Sequence, residues 1–336
     1  MKAGKKERNR AAILAALEKM DGPANSGRLA QYLAASGLSL SERTVRLYLR
    51  ELDAEGLTVS RGKRRAITEK GASELRASQT IRRVGYLSAK IDQMAYNMTF
   101  DLVTRTGLVV VNMSVVDPRH LAACQDKIRR VFDRGYAMGN LLALLAPGES
   151  LGDWTVPSDR LGVCTVCSIT LNGVLLKHGV PTTSTFGGLL ELRDGRATRF
   201  VEMIHYDGTS FDPLEMFIRA GMTNYLGAVE DGNGVIGASF REIPEKARDL
   251  AVQLADRVSS VGLGGFMEIG WPSQPILEVP VSLGRVGVVM IGGLNPIAIL
   301  EEQDYRIESR ALAGLLEYNR LFHFDELPDA LKQYLR

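Results

Sequence analysis

Three arginines, Arg43, Arg46 and Arg50, recur at three- and four-residue spacing within S-E-R-T-V-R-L-Y-L-R-E-L, residues 41 to 52. On a helix that spacing gathers their guanidinium groups on one face. Thr44 stands beside them near the N-terminal end, and such a surface suits phosphates and base edges. Val45, Leu49 and Leu52 fall on the opposite side at helical spacing and belong to a core. Ser41 is placed to cap the first turn through its hydroxyl, so the stretch reads as a recognition helix that contacts DNA.

The flanking elements fit that reading. Residues 7 to 20 carry Ile13, Leu14 and Leu17 on one face, with Asp21-Gly22-Pro23 as a stop, and Ser26 opens a second short helix ended by Ser36-Gly37. After Gly56, L-T-V-S-R-G-K-R-R-A-I-T gives two short extended runs around a turn that bears Arg61, Lys63 and Arg64. A basic hairpin directly after the third helix is the wing of a winged helix, which touches the backbone or minor groove. A wing that docks protein is the alternative.

Charge divides the chain more sharply than its net +2 suggests: residues 1 to 83 hold 18 Lys and Arg against 9 Asp and Glu, the remainder 23 against 30. A basic first quarter joined to an acidic remainder is the footprint of a polyanion-binding domain attached to one that is not. At 336 residues the chain has room for two or three domains. No apolar run approaches the roughly 18 to 20 residues of a membrane span, and the basic start has no cleavage-site pattern, so a cytoplasmic protein is expected.

From Val84 charge falls and strands appear, opened by V-G-Y-L-S. Strands and helices then alternate: L-V-V-V-N-M-S-V-V, an amphipathic helix at 120 to 135, and a strand from Leu161 to Leu171. The order recurs after Asp212-Pro213, and L-N-G-V-L-L followed by G-G-L-L-E-L at 171 to 192 matches L-N-P-I-A-I-L followed by A-G-L-L-E-Y at 294 to 318. The fold class expected is α+β: an N-terminal winged helix-turn-helix (1–75), a linker (76–83) and an internally duplicated α/β domain for ligand sensing and dimerisation (84–336). Its halves fall at about 91–205 and 206–322, and the crevice between them is the place for a ligand.

Two polar clusters could hold one. Thr165, Cys167, Ser168, Thr170 and Asn172 crowd the end of the apolar strand, with Lys177 further on; hydroxyls, an amide and a lysine bind carboxylates through charge-assisted bonds. Bonding to neighbouring backbone is the alternative for any one of them. At 205 to 213, H-Y-D-G-T-S-F-D-P, Gly208 permits a turn that a Cβ would forbid, Thr209 adds a hydroxyl, and Asp212 caps the helix that follows. Cys164 and Cys167, a C-x-x-C without a second pair, point to opposite faces of a strand. The four histidines show no paired spacing, so no metal is expected. The glycine-rich pieces at 262 to 266 and 291 to 295 read as tight turns, neither preceding a helix in dinucleotide-site register. Without an acid and base pair, a nucleophile triad or a P-loop, no enzyme is expected; an enzyme carrying a basic module is the rival reading.

V-G-Y-L-S-A-K-I-D-Q-M-A-Y-N-M-T-F-D at 84 to 101, C-S-I-T-L-N-G-V-L-L-K-H-G-V-P at 167 to 181, F-G-G-L-L-E at 186 to 191 and Y-D-G-T-S-F-D-P-L-E-M-F at 206 to 217 resemble the regulatory domain of the NrpR-type nitrogen-regulatory repressors. S-E-R-T-V-R resembles the family's recognition-helix segment. The resemblance spans nearly the whole chain, with one regulatory domain where some members carry two. It implies a homodimeric repressor of nitrogen-assimilation genes that binds a palindromic operator in double-stranded DNA and is released by 2-oxoglutarate, a small dicarboxylate effector. No cofactor and no membrane partner are implied.

Overall fold

The computed structural model describes residues 2–20, 22–35, 38, 40–62, 64–75 and 86–335, with residues 2–8 in backbone only. The linker expected at 76–83, the helix stop at 36–37 and Lys63 lie outside the described residues. The chain divides into two compact units, Met1–Gly85 and Tyr86–Arg336.

In the first unit, α1 (Lys2–Lys19), α2 (Ser26–Ala35) and α3 (Glu42–Ala54) precede the hairpin β1 (Thr58–Arg61) and β2 (Arg64–Ile67), and α4 (69–75) closes it. Ile13, Leu29, Val45 and Leu52 are wholly buried in one core, which is how so small a unit offsets the chain entropy of ordering it. The hairpin pairs Arg61 with Arg64, and Gly62 takes the positive φ of +65° that the turn requires. Ala24 bonds Arg65 in both directions, tying the wing to the segment that precedes α2.

The second unit begins with α5 (Leu87–Asn97), where the sequence had suggested a strand. Then come β3 (Leu108–Val116), α6 (Pro118–Asp133), β4 (Leu141–Leu145), the small hairpin β5 (Ser150–Leu151) and β6 (Trp154–Thr155), β7 (Leu161–Val166), α7 (Ile169–Lys177), β8 (Thr183–Arg193) and β9 (Arg196–His205). The later part holds α8 (Pro213–Arg219), α9 (Tyr225–Glu230), β10 (Gly234–Pro244), α10 (Arg248–Ser260), β11 (Phe266–Ile269), β12 (Arg285–Ile291), α11 (Asn295–Glu302), β13 (Glu308–Glu317), β14 (Phe322–His323) and α12 (Leu327–Leu331).

The order β3-α6-β4-β7-α7-β8 repeats as β10-α10-β11-β12-α11-β13, but the last strand of each series crosses over. The sheets run β13-β3-β7-β4-β14 and β11-β12-β10-β8-β9. β8 therefore pairs with β10 of the later series, and β13 with β3 of the earlier one, both antiparallel. Each sheet is completed by a strand from the other series, so the two cannot come apart without breaking a ladder.

The strand expected to run from Leu161 to Leu171 ends at Val166, its last residue paired to β3. Ser168 turns into the helical region, and α7 begins at Ile169. Ile169 to Leu175 is buried at every position, so the segment shows no wet face, and a fully buried helix looks like a buried strand in sequence. At 291–295 the glycines form a strand-to-helix junction into α11 instead of a simple turn. Gly293 lies so close to the Val166 carbonyl and the Asn112 amide that a Cβ would collide with both.

Candidate nucleic-acid interface and a buried chamber

On α3, Ser41 is the N-cap and accepts from the Thr44 amide at 3.1 Å, while the two hydroxyls lie 2.8 Å apart. Val45, Leu49 and Leu52 are buried, and Arg43, Arg46 and Arg50 are exposed. Arg46 is held by Glu42 at 2.5 Å, and Glu42 also accepts from Ser26. The arginine is thus positioned by a weak exposed pair that a phosphate can displace. Leu47, 56 % exposed between Arg43 and Arg50, was missed in the sequence; an apolar side chain on such a face suits a thymine methyl. Arg61 and Arg64 are exposed at the end of the hairpin. Arg65 is turned back to Asp53 at 2.6 Å and braces the wing.

The second unit contains a small chamber of about 20 Å³ walled by both series of elements, among them Asn112, Ser168, Tyr206, Asp212, Gly293 and Leu312. α7 and α11 both start at its wall, presenting helix N-termini, the ends that favour anions. Behind Ser168 lies Arg241, wholly buried on β10. Its Nη1 donates to the Ser239 hydroxyl at 2.6 Å and its Nη2 to the Ser168 hydroxyl at 2.9 Å, while Nε has no partner. No carboxylate stands within ion-pair distance of this guanidinium among the described residues. Burial disfavours its charge, and Tyr206, Cys167 and Asp212 act on it from nearby.

Asp212 caps α8 by accepting from the Leu214 and Glu215 amides at 2.9 and 3.2 Å. Burial raises its pKa, against those bonds and the charges of Lys90 and Arg241. Glu215, half-buried one turn on, accepts from the Ala311 amide, and burial pushes it up to about 7. Ala311 and Leu312 belong to a bulge in β13, where the register against β3 shifts. Leu312, buried at φ +47°, is held by the Asn112 side chain at 3.2 Å. A non-glycine residue in that conformation is stored strain of the kind found at switchable sites. Asp212 and Ala311 also wall an open groove of about 630 Å³ that carries Lys90, Arg219 and Arg310, so groove and chamber adjoin.

Of the effector residues expected from sequence, Cys167 and Ser168 line the chamber, and Thr165 reaches it through Asn112 at 3.4 Å. The others are occupied elsewhere. Thr170 and Asn172 lie on α7 and not on a strand: Thr170 bonds both the amide and the carbonyl of Val110, and Asn172 donates to Ser184. Lys177, at the far end of α7, donates to the Phe100 carbonyl. Thr209 closes a turn on Phe211. Gly208 has no positive φ, and a Cβ there would meet nothing nearer than 3.8 Å, so the turn does not need glycine. Burial pushes the thiols of Cys164 and Cys167 up to about 12 and about 11, which keeps them protonated. Arg241 was missed, although a lone arginine closing the apolar run V-I-G-A-S-F was its signal in the sequence.

Residues 84–323 match the family model described as NrpR regulatory domains NRD1 and 2, and residues 11–75 that of the Ribonuclease R winged-helix domain. The chain is 31% identical over 316 residues to the Global nitrogen regulator NrpRI of Methanosarcina mazei, covering 94% of this chain and 97% of that one. It is 28% identical over 312 residues to the Global nitrogen regulator NrpR of Methanococcus maripaludis, covering 92% of this chain but 54% of that protein. In structure it is similar to a nitrogen repressor-like protein from Methanococcus jannaschii, with a TM-score of 0.60 at 26% identity, over 71% of this chain and 99% of the other.

Proposed function

The chain belongs to the NrpR family and is a DNA-binding transcription regulator of nitrogen metabolism, and from that premise we propose that it is a homodimeric repressor released from a palindromic operator by 2-oxoglutarate. The observation that carries the effector is Arg241. A buried guanidinium without a carboxylate is costly, and a carboxylate arriving beside it would supply two parallel charge-assisted bonds. Ser168, Tyr206 and the two helix N-termini would complete the recognition of an anion.

The chamber holds about one water, so a five-carbon acid can enter only if a wall yields. Asp212 and the strained bulge at Leu312 form that wall. A ligand that binds the opened state better than the closed one shifts the equilibrium between them, which is the requirement for an effector that acts on DNA contacts made by another unit.

The test is fluorescence anisotropy of the full-length protein on DNA from its own upstream region, titrated with 2-oxoglutarate and, separately, succinate. Release by 2-oxoglutarate alone, lost in Arg241→Lys while DNA affinity persists, is the expected result. Tight binding indifferent to 2-oxoglutarate would discard the effector; release by succinate alone would assign a different dicarboxylate. Absence of sequence-preferring binding would discard the repressor reading.

A further inference from the structure

Resting on that reading of the chamber, we infer that Lys90 in the adjoining groove holds the second carboxylate of the effector and so makes the site selective for dicarboxylates over monocarboxylates. The chamber alone cannot contain the ligand: at about 20 Å³ it accepts one carboxylate at most, whereas the groove offers about 630 Å³. Asp212 and Ala311 form the threshold shared by the two.

Three cations line the groove, and two of them are engaged. Arg219 donates to the Ser309 carbonyl at 3.2 Å. Arg310 lies over the Trp154 ring, 4.7 Å from its centroid, and 3.8 Å from Asp153. Lys90 is exposed on α5 and makes no hydrogen bond or ion pair with the described residues. Lys90 and Arg241 both favour the charged form of the same Asp212 carboxylate. Lys90 stands on the groove side of the threshold formed by Asp212 and Ala311, and Ser168, which accepts from Arg241, on the chamber side. A dicarboxylate lying across the threshold would give each cation a carboxylate of its own.

The acids in the groove set the selectivity from the other side. Asp212, Glu215 and Glu308 line the groove and repel a second carboxylate wherever they are ionised, so a molecule with two charges gains from the site only through an unengaged cation. A monocarboxylate bound at Arg241 leaves Lys90 without a partner and loses nothing when it is removed.

Isothermal titration of the full-length protein with 2-oxoglutarate and with 2-oxobutyrate, which keeps the 2-oxo acid head but lacks the second carboxylate, tests this in wild type, Lys90→Gln and Arg241→Lys. Wild type should prefer 2-oxoglutarate at least tenfold. Lys90→Gln should cut 2-oxoglutarate affinity about tenfold and change 2-oxobutyrate affinity less than twofold, while Arg241→Lys weakens both. Retention of the wild-type ratio by Lys90→Gln, or equal weakening of both acids, overturns the assignment of Lys90 and leaves the chamber reading standing. Failure of wild type to bind either acid overturns both. Lys90 is at the surface, so an unchanged melting curve separates lost recognition from lost folding.

Discussion

Thr170 and Glu215 face opposite demands at the residue scale. The Thr170 hydroxyl accepts from the Val110 amide at 3.0 Å and donates to its carbonyl at 2.9 Å, all within the core. Thr170→Val keeps the shape and abandons two buried backbone groups, so urea unfolding should show a loss of about 1–3 kcal/mol, with the response to effector retained. Glu215 acts in the contrary sense. Burial raises its pKa to about 7 in the folded protein, above its value in the unfolded chain. The folded state thus binds the extra proton, and the resulting stability is present at acid pH and lost as pH rises from about 4.5 to about 7. Glu215→Gln should flatten that slope, by about 1–3 kcal/mol across the window after discounting for solvent in the groove. Thermal melts at pH 5 and pH 8 measure it; equal pH dependence in wild type and variant would show that another group carries the effect.

At the scale of the element, α3 owes its definition to local chemistry. Ser41 satisfies an end amide, Val45, Leu49 and Leu52 bury one stripe, and the arginines remain in water. Roles differ between this helix and the wing: Arg43→Ala should relax preference between operator sequences, while Arg61→Ala should weaken binding to all sequences and lower the salt slope by about one. Anisotropy on operator and scrambled DNA at several salt concentrations separates the two, and equal loss of specificity from both variants would contradict the assignment. α3 was readable from sequence because one of its faces is wet. α7 was not, because Ile169 to Leu175 is buried all round and no alternation of polar and apolar residues marks its period. Asp212 was readable as a cap, since Asp before Pro leaves few other conformations, yet its place in the chamber wall depends on elements far from it in the chain.

For the whole molecule, the exchange of β8 and β13 makes the second unit one cooperative structure. A fragment of residues 86–205 would hold β3 without β13 and β8 without β10, leaving long apolar edges unpaired. It should fail to give dispersed amide resonances, whereas residues 86–336 should give them; a folded 86–205 fragment would contradict the interdependence. The same exchange brings elements of both series into the walls of one chamber. Allosteric coupling of roughly 1–3 kcal/mol would weaken DNA binding about 5- to 150-fold, and the anisotropy titration reads that factor directly.

The sequence by itself determined the division into a basic and an acidic part, the winged helix with its arginine face, and the repeated order of elements in the second unit. Each of these is written in neighbouring residues, as charge or as a periodicity with one face in water. Only the tertiary structure decided which sheet receives β8 and β13, that 169–177 is helix, and that Arg241 stands buried without a carboxylate beside Ser168. Strand exchange joins residues far apart in the chain, whose pairing no local pattern records. An arginine's meaning lies in whether a counter-charge meets it, and that is settled by elements that come together only when the chain has folded.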